Sequence, residues 1–294
     1  MTRKKLRREK GALRSFVIKA LIALVLFPFV YAGFYLMYPN VGSLRKHNPE
    51  KTSFMGYRER EWRDKGENRK IVQLWVPLSR ISPSLIKAVI ISEDDKFWTH
   101  EGFDFEALHD AAVENLRQKK FRYGGSTISQ QLAKNLYLTP EKRIVRKIAE
   151  AILTWRIERS LTKPRILELY LNVAEWGDGI FGIEAASRAY FHKPASALTP
   201  EQAARLTAIL PNPRKYRPDG SSRYVERRAQ HILSIMARRG EIIEGFDEIM
   251  RGEPPAPSAN APASDSSNTA PGGSVPGAEP SPGDDSTADE PGKR

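Results

Sequence analysis

The sequence contains no cysteine. Disulfide bonds, thiolate metal sites and cysteine nucleophiles are therefore excluded, although this absence says nothing about the redox compartment. Strand-forming patterns are scarce, no internal repeat is visible, and there is only one long apolar run. With 294 residues, 40% of them hydrophobic, the chain can bury the core of one large domain or two small ones.

The apolar run covers residues 20–38 and follows a strongly basic segment. As an α-helix it would be roughly 28 Å long, close to the hydrocarbon thickness of a bilayer. Residues 1–19 carry eight Lys or Arg against Glu9, a net charge of +7. This pattern predicts a cytoplasmic N-terminus, one transmembrane helix over 20–38 and an outer location for the residues that follow.

Two other interpretations of this N-terminal region exist. A cleaved signal peptide would have a shorter apolar core, whereas this run continues beyond the weak cleavage-like triplet at 30–32. A nucleic-acid-binding arm would be equally basic. Membrane topology explains the place of the basic segment more simply, because the segment directly precedes the span.

The rest of the chain divides by composition. Residues 39–70 are polar and charged and are interpreted as a juxtamembrane connector, and 71–252 as a mainly α-helical domain. The tail 253–294, rich in Pro, Ser and Gly and with a net charge of −5, is predicted to be disordered because it has little apolar surface to bury. The +10 that remains in the middle of the chain indicates an anionic partner: nucleic acid, phospholipid head groups or a phosphorylated substrate.

Capping patterns predict where the helices of the folded domain begin and end. The predicted features are an extended piece at 71–78, an N-cap at Ser82 before Pro83, a helix over 141–160, an N-cap at Thr162 with Asn172 as terminator, a capping box from Thr199 to Gln202, and an amphipathic helix over about 224–239.

An acidic cluster with aromatic neighbours follows the helix that starts at Pro83. A carboxylate at a helix C-terminus faces the negative end of the helix dipole, which disfavours its charge, and a general base gains from a raised proton affinity. Glu93 is therefore a candidate base, and no stripe of basic residues adjoins it in the sequence. The alternative is a solvated helix end whose Phe97 and Trp98 pack in the core.

A second cluster, at 124–135, combines paired glycines with hydrogen-bonding side chains. Glycines allow close approach of the backbone, and uncharged hydroxyl and amide groups suit a ligand rich in hydroxyls or phosphate. The alternative is a glycine turn before a helix with Ser126 as its N-cap, and both interpretations can hold together.

The third cluster lies on the helix predicted over 141–160. Arg143, Arg146, Lys147 and Glu150 share one face, and Ile144, Ile148, Ala151 and Trp155 form a separate apolar stripe. The alternative is a solvated face with ordinary salt bridges. Three cations against one acid leave surplus positive charge, which a pyrophosphate could neutralise.

Together these clusters resemble glycosyltransferase family 51, the peptidoglycan glycosyltransferases, in its monofunctional membrane-anchored form. The motifs are matched in order at 93–102 (Glu-Asp-x-x-Phe-x-x-His-x-Gly), 124–135 (Gly-Gly-Ser-Thr-Ile-Thr-Gln-Gln, then Lys-Asn), 146–150 (Arg-Lys-x-x-Glu), 163–172 and 177–193. Ser129 stands where the second motif has Thr, and it keeps the hydroxyl. Five ordered motifs make the resemblance highly specific.

The resemblance implies a lysozyme-like helical lobe beside a small, mobile, membrane-facing lobe, which residues 104–123 would supply. It also implies a reaction. The growing glycan chain, linked to undecaprenyl pyrophosphate, is the donor, and lipid II is the acceptor. The acceptor 4-hydroxyl attacks the anomeric carbon with inversion, forms a β-1,4 bond and releases the lipid pyrophosphate.

The resemblance also implies residue roles. Glu93 would be the general base, and Glu150 the second carboxylate, on the donor side. The donor pyrophosphate is expected at Lys134, Arg143, Arg146 and Lys147, sugar or phosphate at Ser126, Gln130, Gln131 and Asn135, and supporting roles at Asp94 and His100. Tyr170, Asn172 and the glycines of the fifth motif are interpreted as structural.

The expected setting follows from this family. The enzyme would be a single-pass protein of the bacterial inner membrane, with its catalytic domain on the periplasmic side. Its partners would be lipid II, the lipid-linked glycan and proteins of cell-envelope synthesis, and not nucleic acid. No cofactor is required by the sequence and no metal site is visible, although Mg²⁺ or Mn²⁺ bridging the pyrophosphate is compatible with the family.

Two alternatives to this function stay open at the level of sequence. A lysozyme-like lytic transglycosylase or hydrolase would cleave the same bond, and an anchored scaffold would use the basic domain only for binding. A penicillin-binding transpeptidase domain is not expected, because about forty structured residues follow 213 and no Ser-x-x-Lys motif occurs among them.

Overall fold

The computed structural model describes residues 3–118, 125–141 and 144–239. Its helices are α1 (Arg3–Met37), α2 (Ser53–Asp64), α3 (Pro83–Glu93), α4 (Phe105–Gln118), α5 (Ile128–Tyr137), α6 (Ile144–Ser160), α7 (Lys163–Val173), α8 (Ile183–Phe191), α9 (Pro200–Ile209) and α10 (Arg223–Arg238). Its strands are β1 (Val72–Gln73), β2 (Glu175–Gly177) and β3 (Ile180–Phe181). The prediction of a mainly α fold is confirmed. Gly124, Arg143 and the predicted acidic tail lie outside the described residues.

Helix α7 lies at the centre of the core. Every residue from Ile166 to Val173 is buried except Glu168, and a helix that is apolar on nearly all sides must be covered on nearly all sides. Helix α5 packs against both α6 and α7, while α3 packs against α9 and α10. The second and third clusters of the sequence therefore lie on helices that contact one another.

A small three-stranded sheet lies beside α7. The strand order is β1-β3-β2, with β1 parallel and β2 antiparallel to β3. The segment predicted to be extended, 71–78, forms a strand only at Val72–Gln73. Further along, the backbone N–H and carbonyl of Val76 bond to the Asn172 side chain instead of to a neighbouring strand. The Asn172 side chain accepts from the Val76 N–H at 2.9 Å and donates to the Val76 carbonyl at 2.8 Å.

Two of the predicted helix caps differ from the structure. Thr127, and not Ser126, caps α5, because its hydroxyl accepts from the Gln130 N–H while the Gln130 side chain accepts from the Thr127 N–H. Asn172 does not end α7, which continues to Val173, since its amide is used to bind the Val76 segment. The capping box from Thr199 to Gln202 is confirmed.

Ser82 and Thr162 occupy the predicted N-cap positions of α3 and α7, but neither side chain makes a capping hydrogen bond. The Ser82 hydroxyl instead donates to the Leu198 carbonyl at 3.0 Å. Ser82 thus connects the start of α3 to the segment before α9. The local sequence pattern predicted that Ser82 precedes a helix, but not the partner of its hydroxyl group.

The connector predicted at 39–70 packs as part of the folded unit. Val41, Leu44, Met55 and Trp62 are buried in it. Trp62 lies so close to Gly179 that a Cβ there would come within 2.7 Å of the indole ring, and Gly179 also has a φ of +82°. Only glycine fits this contact between α2 and the turn that joins β2 to β3.

Helix α1 is the one helix among the described residues that is long and apolar enough to cross a membrane. This agrees with the predicted transmembrane helix. The helix extends beyond 20–38 at its N-terminal end because the preceding Lys and Arg residues are themselves good helix formers.

Helix α4 falls in the predicted membrane-facing segment and exposes a set of large apolar side chains. These are Phe105, Leu108, Val113 and Leu116. Residues 119–124, including Phe121, lie outside the described residues, so the second lobe and its mobility stay predictions.

Candidate active site

Glu93 is the last residue of α3, and its side chain is only 12% exposed. Burial raises the pKa of this carboxyl, and the groups around it oppose that shift. The Gln131 amide donates to Glu93 Oε2 at 3.0 Å, and Arg228 Nη2 lies 3.5 Å from Oε1. The carboxylate therefore combines a raised proton affinity with a fixed orientation.

Tyr170 sets the orientation of the Gln131 amide. Its hydroxyl donates to Gln131 Oε1 at 3.1 Å, which leaves the amide NH2 group directed at Glu93. Burial raises the pKa of Tyr170 well above its usual value, so the phenol stays a hydrogen-bond donor. Tyr170 was predicted from the sequence to be structural. Its hydrogen bond supports the Gln131 side chain.

Asp94 and His100 connect the first motif to the start of α5. Asp94 accepts from the Ile128 N–H at 2.8 Å and lies 2.9 Å from His100 Nε2. The Gly102 N–H donates to His100 Nδ1 at 2.9 Å, so His100 is a neutral imidazole that carries its proton on Nε2. These two residues hold the loop after Glu93 against the second motif.

A largely buried carboxylate behind the second motif supports the same loop. Glu158 accepts from the Ser129 hydroxyl and lies 2.8 Å from Lys163 Nζ. The ammonium of Lys163 lies 4.7 Å from the centre of the Phe97 ring. Ser129 can replace Thr here because only the hydroxyl contacts Glu158.

Glu150 is buried on α6 with its side chain only 4% exposed. Arg146 Nη1 lies 2.8 Å from one carboxylate oxygen, and Lys147 pairs with the other. Arg146 is largely buried, whereas the Lys147 side chain is 53% exposed and its Nζ lies 3.5 Å from the Ser126 hydroxyl. The salt bridges expected on this face are therefore present, and its binding of a ligand stays a prediction.

Lys134 lies within electrostatic reach of both carboxylates. Burial is the largest cause that lowers the pKa of Lys134, and the charges of Arg146 and Lys147 lower it further. The charges of Glu150 and Glu93 raise it. An anionic ligand beside this largely buried ammonium would favour its charged form and so act against the lowered pKa. The structure thus brings Glu93, Lys134 and Glu150 into one site.

The four predicted sugar- or phosphate-binding residues differ in their surroundings. Gln131 contacts Glu93, and Ser126 lies beside Lys147 at the edge of a cleft of about 170 Å³ that also reaches Glu93. Gln130 uses its carbonyl oxygen in the cap of α5, and Asn135 is buried on that helix. Arg143 lies outside the described residues.

Arg228 is the site residue that the sequence did not indicate. Glu93 was expected to have no stripe of cations nearby, and that expectation is incomplete, because Arg228 approaches from α10, 135 residues further along the chain. Its Nη2 donates to the Ser92 hydroxyl at 2.9 Å, and its Nε is buried without a partner. The available signal was an Arg on the half-buried side of an amphipathic helix, which is too common to single out.

A family sequence profile described as Transglycosylase matches residues 61–237, which include every site residue described above. The chain belongs to this transglycosylase family. The match begins in α2 and ends in α10, so it spans the elements that carry Glu93, Lys134, Glu150 and Arg228. The family expected from the motifs is therefore confirmed.

Individual relatives in the transglycosylase family carry the name biosynthetic peptidoglycan transglycosylase. The protein from Dechloromonas aromatica is 50% identical over 189 residues, covering 64% of this chain and 82% of that protein. The protein from Nitrosomonas eutropha is 42% identical over 226 residues, covering 77% of this chain and 92% of that protein. The protein from Azoarcus sp. is 50% identical over 180 residues, covering 61% and 78%.

Proposed function

We propose that this transglycosylase polymerises lipid II into β-1,4-linked glycan strands by inverting transfer of the growing chain. The observation that carries the proposal is the unequal environment of the two carboxylates. Glu93 is largely buried, with a raised pKa, beside a fixed amide, and Glu150 is paired with two cations. Two carboxylates in such different environments are expected when one accepts a proton during the reaction and the other pairs with cations.

Glu93 acts as the general base. It accepts the proton of the acceptor 4-hydroxyl as that oxygen attacks the anomeric carbon of the donor. A carboxylate with a raised pKa holds this proton better once it has accepted it, and Gln131 keeps one carboxylate oxygen in place. The cleft that reaches Glu93 and Ser126 is the entrance for the acceptor sugar.

Lys134, Arg146 and Lys147 receive the donor pyrophosphate, with Arg143 as a further candidate from the sequence. Charge accumulates on this pyrophosphate as the glycosidic bond breaks, and cations fixed in a partly buried site stabilise that charge. Glu150 holds Arg146 and Lys147 in position before the donor arrives. The pyrophosphate leaves without needing a proton from the enzyme.

A lysozyme-like hydrolase is the competing function, because the raised pKa of Glu93 would also suit a general acid. A hydrolase protonates a poor sugar leaving group, and it has no use for a buried cationic group beside its second carboxylate. Lys134, Arg146 and Lys147 around Glu150 therefore favour synthesis from a pyrophosphate donor.

The setting of the reaction follows from the anchor. Helix α1 holds the domain at the membrane where both lipid-linked substrates reside, and its basic N-terminal flank favours a cytoplasmic N-terminus and a periplasmic catalytic domain. Among the described residues, no group of three or more His, Asp or Glu could hold a metal ion. A divalent cation that takes part would be held mainly by the pyrophosphate oxygens.

The experiment compares wild-type full-length protein and Glu93→Gln on two substrates, labelled lipid II and isolated sacculi. Wild type should form polymer from lipid II and release no soluble fragments from sacculi, and Glu93→Gln should lose about 10²- to 10⁴-fold in polymerisation. Glu59→Gln, an exposed change on α2, is the control. Release of sacculus fragments without polymer would support the hydrolase, and full activity of Glu93→Gln would exclude the assigned base.

A further inference from the structure

The outer side of α6 carries an apolar face that no other described element covers. Val145, Ile148 and Trp155 are 36%, 41% and 45% exposed, with half-buried Ile152 between them. At 3.6 residues per turn these positions lie within roughly a quarter of the helix circumference. The core instead receives Ala149, Leu153 and Ile157. Large apolar side chains aligned on one side of a helix indicate an interaction surface.

The membrane anchor packs directly beside this face. Tyr31 and Tyr35 of α1 are partly buried against the folded domain, and α1 contacts α6. Arg156, the residue after Trp155, donates to the Tyr35 carbonyl at 2.9 Å and to the Pro39 carbonyl at 2.8 Å. Arg156 thus satisfies carbonyl groups that the end of a helix leaves open.

Contacts beyond the anchor make this junction rigid. Arg45 donates to the Ser160 carbonyl at 2.5 Å, and Arg165 donates to the Leu44 carbonyl at 2.8 Å. Val41 and Leu44, in the same segment, are buried in the core. The segment after the span therefore does not act as a free linker, so the end of α1 and helix α6 stay at a fixed distance.

We propose that Val145, Ile148 and Trp155 lie in the lipid interface beside the anchor and seat helix α6 on the bilayer. The partner of this face is the membrane surface, because the face is continuous with the contact between α6 and the transmembrane helix. Trp155 stacks with Arg159, whose guanidinium lies 5.1 Å from the ring centre. A tryptophan beside an arginine suits head-group depth, where the ring is apolar and the cation meets lipid phosphate.

This seating explains how a lipid-linked substrate reaches the site. Arg146, Lys147 and Glu150 lie on the opposite side of α6, and an α-helix with its side chains is about 10–12 Å across. The cationic face is then held about one helix diameter above the apolar face, where the pyrophosphate of a lipid-linked donor projects from the bilayer. This contact is separate from the exposed apolar side of α4.

The absence of cysteine makes a direct depth measurement available. The full-length chain carrying Ile148→Cys or Trp155→Cys is labelled with a nitroxide and placed in vesicles of phosphatidylethanolamine and phosphatidylglycerol. Collision rates with O2, which partitions into lipid, are compared with those of a water-soluble nickel chelate. Leu26→Cys in the span is the control for lipid, and Arg227→Cys, exposed on α10, is the control for water.

Labels at 148 and 155 should collide more often with O2 than with the nickel chelate, as the label at 26 should. The label at 227 should show the reverse preference. Preferential collision with the nickel chelate at both positions would overturn the proposal. Low collision rates with both reagents would also overturn it, because another protein surface would then cover the face. The measurement needs no catalysis, so inactive protein with labels in lipid would contradict the proposed function alone.

Discussion

Arg228 has a measurable consequence for Glu93, because an adjacent cation favours the charged form of a carboxyl. Other charged or titratable groups near Glu93 are Lys134, Tyr170 and Asp94. Removing the cation in Arg228→Gln should raise the pKa of Glu93 further. A base must be deprotonated to work, so the acidic limb of the pH–rate profile should move to higher pH, by about one unit.

The control for this shift is Arg227→Gln, which removes a charge from the same helix at an exposed position. It should leave the pH–rate profile in place. A purely structural role of Arg228 would lower the rate equally at every pH, and that result would contradict the electrostatic role.

Lys147 and Arg146 contact the same carboxylate but should respond differently to substitution. Lys147 is half exposed, so Lys147→Ala should leave the melting temperature nearly unchanged while it weakens donor binding by about tenfold through one lost charge-assisted contact. Arg146 is largely buried with Glu150, so Arg146→Ala should cost about 3 kcal/mol of stability by leaving a buried charge poorly paired.

Lipid II kinetics, inhibition by a phosphoglycolipid donor mimic and thermal unfolding of both variants separate these effects. Unchanged kinetics and inhibition for Lys147→Ala would remove it from the donor site. If Lys147→Ala lost as much stability as Arg146→Ala, the different exposure of the two cations would not determine how much each salt bridge stabilises the fold.

The residues that were predictable share a segment of chain, and those that were missed do not. Glu93, Lys134 and Glu150 stand in motifs whose spacing is local, whereas the contact between Arg228 and Ser92 joins α10 to α3. Adjacent hydroxyls were also ambiguous. Ser126 and Thr127 suit an N-cap equally well by residue type, and only the backbone geometry of the turn selects Thr127.

At the level of helices, α2 is fixed to the domain by a network of charges. Arg58 pairs with the buried Glu175 at 2.8 Å and with Glu61 at 2.7 Å, and Arg214 reaches Glu61 from the loop after α9. Hydrogen bonds from Lys65 and then Arg58 and Arg214 lower the pKa of Glu61 to about 2. This network could not be predicted from local sequence patterns, because its members are spread from α2 to the loop after α9.

This network should make part of the stability sensitive to acid. A carboxyl whose pKa is lower in the folded state stabilises the fold at pH values above its ordinary pKa of 4.5. That contribution is lost as the pH falls from 4.5 towards the folded-state pKa of about 2. Glu61→Gln should therefore lose about 1 kcal/mol at neutral pH, a value reduced for solvent screening, and depend less on pH in the acid range.

Thermal unfolding of the detergent-solubilised chain at several pH values measures this difference. Glu59→Gln is the matched control, because Glu59 lies on the same helix and its pair with Lys51 is exposed. Equal losses in the two variants would contradict the specific role of Glu61.

Periodicity predicted helix α6 but not what its apolar stripe faces. The stripe expected at Ile144, Ile148, Ala151 and Trp155 had the spacing of an ordinary core face. In the structure Ile148 and Trp155 are exposed, while Ala149, Leu153 and Ile157 are buried. Core and lipid select the same apolar side chains, so only the packing of α1 and α7 around α6 distinguishes the two environments.

For the whole molecule, the rigid junction between anchor and catalytic helices has a consequence for substrate use. Arg156 fastens the end of α1, and the segment after it is held by Arg45 and Arg165. A flexible Gly/Ser segment inserted after Asn40, combined with Arg156→Gln, should free the domain from its fixed height. Its site would then meet lipid-linked substrate less often, because a flexible tether lowers the effective concentration of a correctly placed group.

The comparison is polymerisation of lipid II in vesicles against lipid II in detergent micelles. The variant should keep its activity in micelles, where height above a bilayer has no meaning, and lose several-fold in vesicles. The same insertion after Ser221, in the exposed loop before α10, serves as the control and should affect both assays alike. A tether that changed neither assay would mean that the anchor only concentrates the enzyme at the membrane. Equal losses in both would mean that the junction stabilises the catalytic fold instead of setting its height.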